Sequence, residues 1–169
     1  NSIVIENDGK EEWTSLKDNP DYIKLSPDEL KEKVKAAGIV GMGGAAFPTL
    51  VKLSPPKEKP IDTIIINGAE CEPYLTADYR LMLEKSSDIV EGLKILMRIL
   101  GVNKGFIGIE NNKPDAIEKM KDAAKNEPNI EVCGLEVKYP QGAEKMLISA
   151  ITGREVPPRA LPMDVRVVV

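Results

Sequence analysis

Thr63-Ile64-Ile65-Ile66-Asn67-Gly68-Ala69-Glu70-Cys71-Glu72-Pro73-Tyr74 holds the change of character on which the fold assignment turns. The β-branched run in Thr63 to Asn67, set between Pro60 and Gly68, reads as a buried strand. The polar stretch from Asn67 to Glu72 then leaves the strand at its C-terminal end. In an open α/β sheet that is where ligands bind.

Working outward, Ser26-Pro27-Asp28-Glu29 is a helix start with Ser26 as N-cap, Pro27 at the first helical position and Glu29 closing a capping box. The helix is expected to run to about Ala37 and to end at Gly38. The Pro-rich stretch Ser54 to Pro60 reads as a surface connection. On the other side, Leu81, Leu83, Ile89, Leu93, Leu96, Met97 and Leu100 predict two helices joined near Ser86-Ser87 and stopped by Gly101. A strand follows at Gly105 to Ile109, then a helix from Asn112-Lys113-Pro114 to about Lys125, a strand from Ile130 to Val137 and a helix from Gln141 to Thr152. Alternating strands and helices predict an α/β fold with a mainly parallel sheet flanked by helices. Ile3-Val4-Ile5 is strand-like, and Val165 to Val169 is an apolar run at the last residue. Both ends read as cuts in a longer chain. The expected organisation is a segment 1–25 leading from an upstream domain and a ligand-binding α/β domain 26–169, truncated at its C-terminal end.

The 169 residues, 42% of them hydrophobic, suffice for one core. A net charge of −4 with interspersed signs leaves no basic stripe for nucleic acid. No apolar run approaches the roughly 20 residues of a membrane span, and the first residues carry no secretory pattern, so a cytoplasmic setting is expected. Cys71 and Cys133 are the two cysteines and histidine is absent, which argues against a thiolate or imidazole metal centre and against a Ser-His or Cys-His nucleophile. Such a chain either binds or takes its chemistry from a cofactor.

Gly41-Met42-Gly43-Gly44-Ala45-Ala46 matches the G-x-G-x-x-A dinucleotide fingerprint, but a capped helix precedes it where that fingerprint requires a strand. An ordinary Rossmann turn is therefore disfavoured. The bare loop could still bring backbone close to a flat anionic ligand, with Phe47 stacking and Lys52 meeting a phosphate or a reduced flavin. The alternative is a flexible loop with a core Phe. Asn67, Glu70 and Glu72 could hydrogen-bond ring, ribitol or ribose atoms, or form only a solvated edge. Cys71, between two acids, and Cys133, in an apolar strand, read as structural. Tyr139-Pro140-Gln141-Gly142-Ala143-Glu144-Lys145 is a strand-to-helix junction suited to an anion or polar group, or an ordinary junction capped by Gln141.

Taken in order, Gly38 to Lys52, Asn67 to Asp78 and Tyr139 to Gly153 resemble the C subunit of the Rnf electron-transport complex, over nearly the whole chain. More distantly they look like the FMN-carrying, NADH-oxidising subunit of respiratory complex I. The resemblance implies a non-classical Rossmann-like flavin-binding domain. It places Gly41, Gly43, Gly44, Lys52, Asn67, Glu70, Tyr139, Gly142 and Glu144 against FMN, and Phe47 and Glu72 against NAD(H). Met42, Ala69 and Ala143 depart from an arginine, an aspartate and a glutamate in the complex I relatives, and Arg159-Ala160 from a Gly-Gly pair in Rnf proteins. It further implies iron–sulfur clusters elsewhere in the full subunit, ferredoxin and membrane-bound subunits as partners, a place on the inner face of the membrane, and coupling to Na+ or H+ transport. A cobalamin-reducing flavoprotein of the same family and a non-catalytic scaffold are the alternatives.

Overall fold

A computed structural model describes residues 2–13, 15, 21–42 and 45–169. Its central sheet has four parallel strands, β1 Thr63–Gly68, β2 Gly105–Glu110, β3 Ile130–Leu135 and β4 Val167–Val168, in the order β3-β2-β1-β4. Ile65 lies beside Phe106, Ile107 beside Val132 and Ile64 beside Val168. The helices are α1 Pro27–Ala36, α2 Thr49–Lys52, α3 Ala77–Glu84, α4 Ser86–Leu100, α5 Pro114–Ala124 and α6 Glu144–Thr152.

Alternation along the strands divides the core. Ile64, Ile107, Ile109, Val132 and Val168 pack against Val90, Leu93 and Met97 of α4 and Ala116 and Met120 of α5. Ile65, Phe106, Leu135 and Val167 face Leu147 and Ile148 of α6 on the other side. Each large apolar side chain buried in these layers contributes about 1.5–3 kcal/mol. Helix α1 begins with the expected capping box, Glu29 N–H donating to Ser26 Oγ and Ser26 N–H to the Glu29 carboxylate. Its Leu30 and Val34 form an outer cluster with Leu53 and Ile99 of α4.

From β1 the chain steps outward through β2 to β3, then returns through α6 to lay β4 on the far side of β1. With right-handed crossovers, that reversal puts α6 on the face opposite α4 and α5. The crevice between β1 and β4 is the topological switch point, where open α/β sheets hold ligands.

Four expectations need correction. Ile3, Val4 and Ile5 form no strand; their side chains are 87–91% exposed and no strand pairs with them among the described residues. β3 stops at Leu135 rather than Val137, because its partner β2 ends at Glu110, opposite Leu135. Helix α6 starts at Glu144 rather than Gln141, since Gln141 and Ala143 spend their amides on a turn, donating to Lys138 O and Pro140 O. The closing apolar run yields only the two residues of β4, because a 3-10 turn at Pro162–Val165 and Arg166 at φ 66° precede it.

At the opposite end of β1, Arg154 Nη1 donates to Asp62 Oδ1 at 2.7 Å and to Val165 O at 3.0 Å, and Arg166 Nε stands 3.3 Å from Asp62 Oδ2. Burial pushes the Asp62 carboxyl up, but hydrogen bonds from Arg154 and Thr63 and the charges of Arg154 and Arg166 outweigh it and hold it below the usual Asp value. A lowered folded-state value gives stability that is present above the unfolded Asp pKa of about 3.9 and is lost as pH falls through the folded value. Replacing Arg154 by Met should therefore lower stability at pH 7 by about 1 kcal/mol, given the solvent exposure of the pair. In urea unfolding, the gap between the two proteins should close as pH falls from about 5 to 2.

Candidate functional site

Because the strands are parallel, their C-terminal ends share one edge of the sheet, and two of the segments singled out in the sequence, those around Asn67 and Tyr139, meet there. Asn67, next to last in β1, uses both ends of its amide. Its Nδ2 donates to Gly142 O at 2.8 Å, and its Oδ1 accepts from Ala69 N at 3.1 Å. The loop after β1 is thereby fastened to the loop before α6. A Cβ on Gly142 would stand 2.5 Å from Ala69 O, so this glycine is required by the contact between the two loops. Glu144 is the first residue of α6 and is exposed. No side chain caps that helix, so Gln141 is not the cap the sequence suggested, and the first-turn amides face the same edge.

The glycine loop approaches from the β4 side. Val40 and Pro48 form an antiparallel bridge, Gly41 N donates to Phe47 O at 2.8 Å and Thr49 N to Ile39 O at 3.2 Å, so the loop is a short closed excursion. Gly43 and Gly44 lie outside the described residues. A Cβ on Gly41 would meet only Phe47 O at 3.6 Å, an ordinary contact. Nothing in the described neighbourhood requires glycine there, which leaves close approach by a ligand as a reason for it. Phe47 is 46% exposed. Lys52 ends α2, and its Nζ donates to Val169 O at 2.6 Å, next to β4 and level with the middle of β1.

Glu70 behaves differently from the other acids of the edge. It is buried, and its carboxylate accepts from Asp78 N at 2.8 Å and Tyr79 N at 3.1 Å, capping α3 from outside the helix. Lys113 Nζ lies 3.7 Å from Glu70 Oε2 and donates to Glu70 O at 3.5 Å. Glu72 and Tyr139 are exposed. They stand on a cleft of about 570 Å³ that is also lined by Tyr74, Glu110 and Lys113.

Sequence reasoning missed Glu110, Lys113 and the role of Gln141. Glu110 ends β2 as Asn67 nearly ends β1, so the rule that ligands bind beyond strand ends, applied to a second strand, would have found it. It is 1% exposed and accepts from Lys138 N at 3.3 Å. Gln141 is 2% exposed, and its Oε1 has no hydrogen-bond partner among the described residues. A buried orphan acceptor at a ligand edge wants a donor, supplied by a ligand or by water. No group of three metal-ligating side chains occurs among the described residues. The edge combines a cation, free helix amides, amide and carboxylate acceptors and aromatic rings. Such a set can hold a flat ring bearing a phosphate.

Residues 34–169 match a family model described as the Nuo51 FMN-binding domain. The chain is 57% identical over 169 residues to the C subunit of the proton-translocating ferredoxin:NAD(+) oxidoreductase complex of Clostridium ljungdahlii, covering 99% of this chain and 37% of that protein. Against the C subunit of the Na(+)-translocating complex of Acetobacterium woodii it is 54% identical, covering 99% and 38%. The chain thus spans little more than a third of these relatives. Among solved structures, a NAD+-reducing nickel–iron hydrogenase in the air-oxidised state superposes with a TM-score of 0.66 at 25% identity, covering 79% of this chain and 26% of that one.

Replacing Gly142 by Ala should drive the Asn67 and Tyr139 loops apart, because neither the new methyl nor the Ala69 carbonyl can yield cheaply. The expected cost is about 1–3 kcal/mol. Thermal unfolding checks it, and an unchanged midpoint would mean that the two loops are not in contact.

Proposed function

This chain belongs to the family of Nuo51 FMN-binding domains, and we propose that it holds FMN at the C-terminal edge of its sheet, where the flavin exchanges electrons with NAD(H). The observation that carries this is the closure of the Asn67 and Tyr139 loops on one edge through the bond from Asn67 to Gly142, with the buried Gln141 Oε1 without a hydrogen-bond partner among the described residues. FMN, when bound, supplies hydride exchange with NAD(H) and release of single electrons. Everything the chain itself contributes is position and electrostatics.

Gly41, with Gly43 and Gly44, brings backbone against the flavin, and Lys52 supplies a cation from the β4 side. Asn67 and Gly142 hold two walls of the site at a fixed separation, and Glu70 supports the first of them from within. Tyr139 and Glu144 face the flavin from the α6 side, with Gln141 Oε1 buried behind them as an acceptor for a ring or amide N–H. Phe47 and Glu72 meet NAD(H), the first by stacking and the second by accepting from ribose hydroxyls or the carboxamide. A side chain acting as acid, base or nucleophile is not needed, which suits a sequence without histidine.

In the full-length protein the electrons pass to iron–sulfur clusters and exchange with ferredoxin, and membrane partners couple the transfer to Na+ or H+ translocation. No helix of the described residues is long and apolar enough to cross a membrane. Attachment to the inner face of the membrane is accordingly assigned to partner proteins of the complex.

Gly41→Val in the full-length protein should abolish FMN binding while leaving far-UV circular dichroism and the unfolding midpoint close to wild type. FMN fluorescence titration reads the first effect. Stoichiometric FMN in that variant would remove the glycine loop from the site, and a wild-type protein that fails to quench FMN would leave the scaffold alternative standing.

A further inference from the structure

Tyr74 is held in the left-handed backbone region at φ 69°, and its side chain is wholly exposed. For a bulky residue that conformation is strained, and no folded-state contact repays it, because the ring touches solvent. Strain of this kind persists where the surroundings enforce it and gathers at ligand sites. Here the surroundings are identifiable. Glu70 and the start of α3 anchor both ends of the loop Cys71–Thr76. They are joined by the hydrogen bonds from Asp78 N and Tyr79 N to the Glu70 carboxylate. Thr76, the local N-cap of α3, makes no side-chain cap of its own. Lys113, at the entry to α5, closes the clamp by contacting both the carboxylate and the carbonyl oxygen of Glu70. The side chains of Glu70 and Lys113 are 4% and 11% exposed, so the cation offsets a carboxylate that water hardly reaches.

The loop so fixed presents Tyr74 beside Glu72 at the mouth of the cleft. Three of the chain's four tyrosines, Tyr74, Tyr79 and Tyr139, line that cleft. We propose that Tyr74 is a contact residue for a flat heteroaromatic ring of the nicotinamide dinucleotide. Lys113 is its positioning residue, acting through Glu70 on the loop Cys71–Thr76. This rests on the reading that NAD(H) binds at this edge. An aromatic platform of this type stacks on the purine or on the nicotinamide with little hydrogen-bond selectivity. The cleft is therefore assigned to a ring, not to a phosphate.

The test uses the full-length, FMN-loaded protein and reads FMN content, the dissociation constant for NADH by calorimetric titration of the dithionite-reduced protein, and the unfolding midpoint. Tyr74→Gly should weaken NADH binding about tenfold, the usual worth of one lost stacking contact. The same change should raise the midpoint by about 2–4 °C, because glycine accepts a positive φ without strain, and FMN content should stay at the wild-type level. Opposite signs on binding and stability are what a merely structural tyrosine would not give. Tyr74→Phe should retain wild-type affinity. Lys113→Met should raise the KM for NADH several-fold, with Lys113→Arg restoring it. Titration with ADP-ribose and with reduced nicotinamide mononucleotide distinguishes the rings, since the loss in Tyr74→Gly falls on the probe whose ring Tyr74 meets. Wild-type affinity for both probes in Tyr74→Gly, or a lowered midpoint with unchanged affinity, overturns the proposal. Absence of flavin from the wild-type protein strikes instead at the functional reading beneath it.

Discussion

β1 is paired on both edges and covered on both faces, and the other elements take their places from it. Its backbone is laddered along β2 and, at Thr63 and Ile64, by β4, and its side chains alternate between the α4–α5 layer and the α6 layer. A strand so enclosed can expose polar atoms only where it ends. The chain therefore changes from Ile64-Ile65-Ile66 to Asn67-Gly68-Ala69-Glu70 within a few residues.

The order of the strands does the rest. A sheet that grew in one direction only would place its connecting helices on one face and would have no internal crevice. The return from β3 to β4 opens a gap between two neighbouring loop systems, and the Asn67 amide spans it. At the opposite end, Arg154 and Arg166 converge on Asp62 and tie the entries of β1 and β4 together, so the strands that flank the crevice are fixed from below. The ion-pair end carries stability and the loop end carries the candidate site, and the two are separated by the length of β1.

Local physics made much of this legible in the sequence. The Ser26 capping box, the β-branched run of β1 and the glycine stops at Gly101 and Gly153 are decided by residues a few positions apart, and each is found in the fold, both glycines at positive φ. Features fixed by distant contacts were not legible. The late start of α6 follows from a turn held against the Asn67 loop, and the end of β3 from the length of β2. Glu70 looked like one of two equivalent acids, yet its partners lie in α3 and at the entry to α5, which leaves Glu72 as the exposed member of the pair. Periodicity and motif spacing carry no record of which acid will find such partners. Ile3-Val4-Ile5 errs in the other direction, because β propensity without a neighbouring strand produces no sheet.

The cap that Glu70 places on α3 also bears on inheritance. A helix usually carries its own N-terminal cap and can be exchanged as a self-contained piece, whereas α3 borrows its cap from the ligand loop and a cation from the head of α5. The loop, α3 and Lys113 therefore form one structural unit, within which a substitution is judged against residues remote in sequence. Grafting the loop from one relative into another without its helix and lysine would carry over the letters of the motif and leave behind the frame that shapes it.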